Sequence, residues 1–130
     1  MTTNKLHFIF ISTLISLIFA ACGGGEIKNV SFKNDIKPIF NDYCLDCHAG
    51  TETQGNIHLD TYENMMKSRY FNNPDPIAIA GQPERSRLYI VVSSNNPGVR
   101  MPPKNFGYDP LNEQEIKIIR TWIAEGAKNN

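Results

Sequence analysis

The chain has 130 residues, 41% of them hydrophobic, with 13 lysines and arginines balancing 13 aspartates and glutamates. That length allows one small domain, the apolar content excludes a disordered polyelectrolyte, and the neutral balance offers no basic surplus for a nucleic-acid backbone. Three cysteines are too few for a disulfide-dense scaffold, and their odd number raises the question of what each one does.

Residues 1–21 read as an export signal. Lys5 lies in a short polar start, an apolar run follows from Phe8 to Phe19, and Ala20 and Ala21 precede Cys22. The run is short for a membrane span. Small residues directly before a cysteine resemble the lipobox of bacterial lipoproteins, which implies a lipidated Cys22 at the start of the mature chain. Phe19 departs from that pattern, standing where an aliphatic side chain is usual. An ordinary cleaved signal and a retained anchor are the alternatives. Residues 22–30, opening with Gly23-Gly24-Gly25, then form a flexible tether. Removing residues 1–21 takes away only Lys5, leaving 12 basic and 13 acidic residues and a net charge of −1.

A domain is expected over residues 31–127, with 128–130 as a tail. Ser31 to Asp35 offers helix-start residues, and Ile36, Ile39, Phe40 and Tyr43 share one helical face. Pro38 is tolerated in a first turn, which sets the predicted start at Asn34 or Asp35. This helix delivers Cys44-Leu45-Asp46-Cys47-His48, the C-x-x-C-H arrangement of covalent c-type haem attachment. Two cysteines three apart can present both sulfurs to the two vinyl groups on one porphyrin edge, and the following histidine places an imidazole under the iron. Half a zinc site, a thioredoxin-like redox pair and a structural disulfide compete. Zinc lacks a second ligand pair downstream, the redox pair lacks a βαβ context, and a disulfide has no use for His48.

Residues 49–56 read as loop. In Ile57-His58-Leu59 the alternation turns Ile57 and Leu59 inward and His58 outward. Asp60 or Thr61 caps a short helix through Tyr62, Met65 and Met66. Prolines at 74, 76 and 83 forbid a continuous helix over residues 71–83, and a helix is predicted from Pro83 to Val92 with Leu88, Val91 and Val92 inward. The last helix is the clearest. Asn112 and Glu115 form a capping-box pattern, Leu111 and Ile116 a hydrophobic staple, and Gly126 a stop. Ile116, Ile119, Trp122 and Ile123 make its buried stripe, with Trp122 a further candidate for the haem edge.

A distal iron ligand is sought among the remaining thioethers and imidazoles. Met101, in Arg100-Met101-Pro102-Pro103 after a glycine-containing loop, is favoured because its thioether can approach the open haem face. A gap-filling core role for Met101, ligation by His58, Met65 or Met66, and an open site are the alternatives. Lys67, Arg69, Arg85, Arg87, Arg100 and Lys104 could ring an exposed haem edge and steer an acidic partner, or form a solvated surface.

In order along residues 31–127, Ile36-Lys37-Pro38-Ile39-Phe40, the haem motif, Leu59-Asp60-Thr61-Tyr62, Gly81-Gln82-Pro83-Glu84-Arg85-Ser86-Arg87-Leu88, Arg100-Met101-Pro102-Pro103 and Ile119 to Ala127 resemble the planctomycete-type cytochrome c family. The resemblance implies a small all-α, class I cytochrome c-like fold of three to five short helices around one covalent haem c. It implies Cys44 and Cys47 as haem attachment residues, His48 as proximal and Met101 as distal iron ligand. No partner domain is expected, and no Ser/His/Asp group, phosphate-cradling glycine loop or paired catalytic carboxylates suggest an enzyme. The expected function is electron transfer by a monohaem protein, held by lipid on Cys22 in the bacterial periplasm or on the cell surface. Redox proteins are its expected partners and nucleic acid is not. A haem-binding accessory or sensor subunit is the alternative, and a small peroxidase comes third.

Overall fold

Ser31 begins the helical part of the chain with a reciprocal cap. Its hydroxyl accepts the Asn34 N–H at 3.2 Å, and the Asp35 carboxylate accepts the Ser31 N–H at 2.7 Å. In this computed structural model, which describes residues 25–51 and 53–130, the next turn, Phe32–Ile36, is wider than an α-helix. The Ile36 N–H donates to the Ser31 carbonyl at 3.2 Å, and Lys37 likewise reaches five residues back, to Phe32. The helix then tightens into α1, Lys37–Tyr43. The helical chain therefore starts before Asn34, earlier than the sequence suggested. Proline has no N–H and its ring crowds the carbonyl four residues back, so a widened turn just ahead of Pro38 relieves what a regular one would strain. The expected signal sequence and Cys22 lie outside the described residues.

At Cys44 the backbone bends to φ −124°, and the four-residue helix α2, Leu45–His48, follows. The loop after it includes Gly55 at φ 67° and Asn56 at φ 57°, left-handed conformations that glycine and asparagine adopt most readily. Thr61 caps α3, Tyr62–Lys67, by accepting the Asn64 N–H at 3.1 Å. The helix predicted from Pro83 to Val92 is broken in two. A 3₁₀ turn over Pro83–Arg85 gives way at Ser86, whose backbone is extended, and α4 runs over Arg87–Val92. The buried Ser86 hydroxyl donates to the Gln82 carbonyl at 2.9 Å and accepts the Ile79 N–H at 2.8 Å. A serine that bonds nearby backbone competes with the helical ladder, which explains the break. Among the described residues the architecture is all-α, with one isolated β-bridge between Arg69 and Pro76.

The last helix, α5, spans Glu113–Ala124 and carries both halves of its capping box. Asn112 Oδ1 accepts the Glu115 N–H at 2.9 Å, and Glu115 Oε2 accepts the Asn112 N–H at 2.8 Å. Ile119, Trp122 and Ile123 are buried while Ile116 is half-buried, and Gly126, at φ 103°, ends the helix. The aromatic centre gathers around Phe32, whose ring lies 5.2 Å from Tyr62, 5.7 Å from Trp122 and 6.3 Å from Phe40 between centroids. These edge-on and tilted geometries suit the ring quadrupoles. The Trp122 indole N–H donates to the Lys128 carbonyl at 2.9 Å, so the one polar atom of this buried ring is satisfied.

Residues 29–32 and the C-terminal residues are strapped together beside this centre. The Glu125 carboxylate accepts the Asn29 and Val30 N–H groups at 2.7 and 2.9 Å. The Asn130 side chain accepts the Phe32 N–H at 3.0 Å, and its carbonyl accepts the Ser31 hydroxyl at 2.7 Å. Among the described residues no helix is long and apolar enough to cross a membrane.

Candidate functional site

On the other side of the molecule the helices enclose a cavity of about 470 Å³. Its walls carry Cys44, Cys47 and His48 from the bend and α2, and Met101 from the loop after α4. Two thiols, an imidazole and a thioether, drawn from positions 53 residues apart in sequence, therefore face one space. Aliphatic side chains, among them Ile57, Leu59, Ile77 and Val91, make up much of the remaining wall.

Each donor is held from behind. The Cys44 N–H donates to the Phe40 carbonyl and the His48 N–H to the Cys44 carbonyl, both at 2.9 Å, so α1 continues into the motif despite the bend. The His48 carbonyl accepts the Leu59 N–H at 2.8 Å. His48 Nδ1 lies 3.3 Å from the Ile57 carbonyl. With the proton on Nδ1 it donates to that carbonyl, which fixes the ring and leaves the Nε2 lone pair free for a metal. Burial lowers the His48 pKa, which favours the neutral, ligating form. Burial, with the Cys47 thiol adding to it, pushes the Cys44 thiol up to about 12, so this sulfur is protonated and uncharged at neutral pH. Both cysteines are free thiols. Met101 is fixed through its backbone: its N–H donates to the Val91 carbonyl at 2.9 Å, the peptide to Pro102 is cis, and Pro102 is buried.

Other sequence candidates lie elsewhere. His58 lines a separate hollow of about 540 Å³, polar and open, with Asp60, Asn64 and Lys67. That agrees with its expected outward direction. Met65 is fully buried in the core and Met66 packs partly against it. Trp122 packs on Phe32 and does not line the cavity, so the expected contact with a haem edge is not made. The six basic residues weighed as a ring around a haem edge or as a solvated surface are not gathered on the cavity. Arg69 donates to the Pro74, Met66 and Ser68 carbonyls, Arg85 pairs with Asp75 and Gln82, and only Arg87 of the six reaches the cavity wall.

Sequence reading missed the aromatic rim. Tyr70, Phe71, Phe106 and Tyr108 line the mouth, and Phe71 and Phe106 are 75% and 66% exposed. Tyr108 donates its hydroxyl to Asp46, one of the two residues between the cysteines, and this raises the phenol pKa. The contact joins the loop that carries Met101 to the segment that carries His48. No spacing rule could have signalled it, since the partners are 62 residues apart.

Can these residues accommodate a haem? The donor set is the one that its edge and iron require, and the walls are apolar enough to cover a macrocycle. Of the three buried guanidinium nitrogens without a partner among the described residues, two on Arg100 and Nε of Arg87, the last belongs to a side chain of the wall. They fit. An all-α domain with such a cavity is compatible with a small cytochrome c-like fold. Residues 44–105 match the family model described as planctomycete cytochrome C. The match runs from the first cysteine of the motif to just beyond Met101, a little under half of the chain. No match was found among curated proteins or among solved structures. The family of that model implies haem binding, and cytochromes c are generally electron carriers.

Proposed function

We propose that the protein is a monohaem electron carrier, with haem c attached through Cys44 and Cys47 and iron held between His48 and Met101. The observation that carries this reading is the placement of all four side chains on one largely apolar cavity. Each thiol would add across a vinyl group, the sulfur bonding to one carbon and the hydrogen ending on the other, so attachment consumes no oxidant. A bound haem supplies one-electron exchange between Fe(III) and Fe(II). The chain's own part is to hold His48 by its Nδ1 and to position Met101 through Val91. The apolar wall keeps water from the iron. A thioether opposite imidazole raises the reduction potential relative to harder ligands.

Export and a lipid anchor on Cys22 belong to the same proposal. They rest on the sequence of residues 1–25, and they place the domain beside a membrane with redox proteins as partners.

Spectra of the purified protein in both oxidation states test the site. A low-spin c-type spectrum with a methionine-to-iron charge-transfer band is expected, and Met101→Ala is expected to lose that band, lower the potential and admit carbon monoxide. Ready carbon monoxide binding by the unaltered protein at neutral pH would overturn the carrier reading in favour of a ligand-binding haem subunit.

A further inference from the structure

Arg87 is the only charged side chain among the described residues that line the cavity. It stands at the start of α4, and its guanidinium carbon lies 4.2 Å from the centroid of the Tyr70 ring, which is also part of the wall. A cation over an aromatic face is held in place by the ring quadrupole, but this attraction satisfies none of its N–H donors. Nε is buried and has no hydrogen-bond partner among the described residues. Leaving a buried donor of a charged group unmade costs more than a typical hydrogen bond contributes, so such an atom marks a place where a partner belongs.

The surrounding residues do not supply that partner. The Asp75 carboxylate is committed to Arg85 on the surface. Asp46, inside the motif, is committed to Tyr108. The titratable groups that face the cavity are His48, Cys44, Cys47, Tyr43, Tyr70 and Tyr108, and no aspartate or glutamate lines it among the described residues. A guanidinium fork in a largely apolar wall with no anion of its own is a carboxylate site.

We infer that Arg87, steadied by Tyr70, binds one propionate carboxylate of the haem. The inference rests on the haem reading of the cavity and deepens it. The cysteines hold the vinyl edge of the macrocycle, and propionates project from the edge opposite the vinyls, so an anchor on a separate segment fixes the rotation of the ring in its plane. Arg87 is thus a positioning residue for the cofactor. It also places a positive charge beside the macrocycle that opposes oxidation to Fe(III).

The test uses the haem-loaded protein matured on carboxyl-labelled precursor, so that both propionate carboxylates carry ¹³C. In redox-difference infrared spectra, Arg87→Gln is expected to move a labelled carboxylate band and to lower the midpoint potential, with the visible ligation spectrum kept. Arg87→Lys, which retains charge without the planar fork, is expected to move the same band and to restore most of the potential. Arg85→Gln, on a surface pair, is expected to change neither. The inference is overturned if the labelled bands of the Arg87→Gln protein coincide with those of the unaltered protein, or if Arg85→Gln moves them equally. Should the Gln variant fail to accumulate, the band position in Arg87→Lys decides in the same way. Protein with no haem absorption at all would instead overturn the functional reading on which this one stands, a result distinguishable from unmoved bands.

Discussion

The two sides of this small domain are built on different principles. Around Phe32, Trp122 and Phe40 the chain fills its own interior: large rings meet in favourable geometry, the indole N–H has an acceptor, and residues 29–32 are tied down by Glu125 and Asn130. Around Cys44, His48, Arg87 and Met101 the chain encloses a space instead. There a buried guanidinium nitrogen is unmet, and Phe71, Phe106 and Met101 stand exposed at the rim. A native core is close-packed and meets its polar atoms, so the first side is a finished core and the second is shaped for a partner that completes it. A chain of this size has little apolar area to spare. The cofactor in the proposed function is therefore also part of the core, which predicts that the aromatic centre holds without haem while the cavity wall depends on it.

The largest expected effect follows from removing the attachment. Cys44→Ser with Cys47→Ser should leave no haem with the chain after denaturation. In the haem-free protein, amides of the cavity wall, Ile57 to Leu59 and α4, should exchange with local opening free energies near the ~0 kcal/mol end of the range, while those of α5 keep the global value. Hydrogen exchange read by mass spectrometry separates the two. Equal protection on both sides without haem would show that the cavity half stands unaided, and the division would fail.

Next in size is Trp122→Ala, expected to cost about 3–5 kcal/mol from lost burial and the cavity left behind. Trp122 is fully buried and does not line the haem cavity. Denaturant unfolding should therefore show a similar loss in haem-loaded and haem-free protein, and the absorption maxima of the loaded protein should not move. A spectral change would mean that the two halves are more tightly coupled than their walls suggest.

What was legible in the sequence follows the same division. The finished half declared itself locally: the Asn112 and Glu115 box and the Ile119, Trp122 and Ile123 positions of the stripe are short-range or periodic signals and form as read, while Ile116 of the same stripe is only half-buried. The cavity half was legible only where covalent chemistry fixes spacing. Cys44, Cys47 and His48 announce a cofactor, and Met101 was selected by residue type and loop context. Arg87 was one of six basic residues considered for the haem edge with nothing to set it apart from the other five, and Tyr108 was not singled out, because their contacts with Tyr70 and Asp46 are made only by the folded chain. The break at Ser86 was missed for a related reason. A serine in an apolar helical pattern looks neutral until its hydroxyl has the Ile79 and Gln82 backbone within reach. The widened turn before Pro38 shows that proline can be absorbed by a change of helical register as well as by a helix start.

The smallest effect argued here concerns the cap of α5. Asn112 Oδ1 accepts the Glu115 N–H at 2.9 Å, and its loss in Asn112→Ala leaves that first-turn donor to water. Removing an asparagine cap costs about 1 kcal/mol, and in a domain of this size that lowers the melting temperature by roughly 4–8 °C. Asn112→Asp should recover the loss, since aspartate caps as well as asparagine and its charge suits the positive end of the helix. Because α5 belongs to the self-filled half, calorimetry should give the same decrement with and without haem. A decrement seen only in the loaded protein would place α5 among the elements that haem organises. A decrement in both, recovered by aspartate, would locate the stability of this helix in its own cap and in the aromatic centre beneath it.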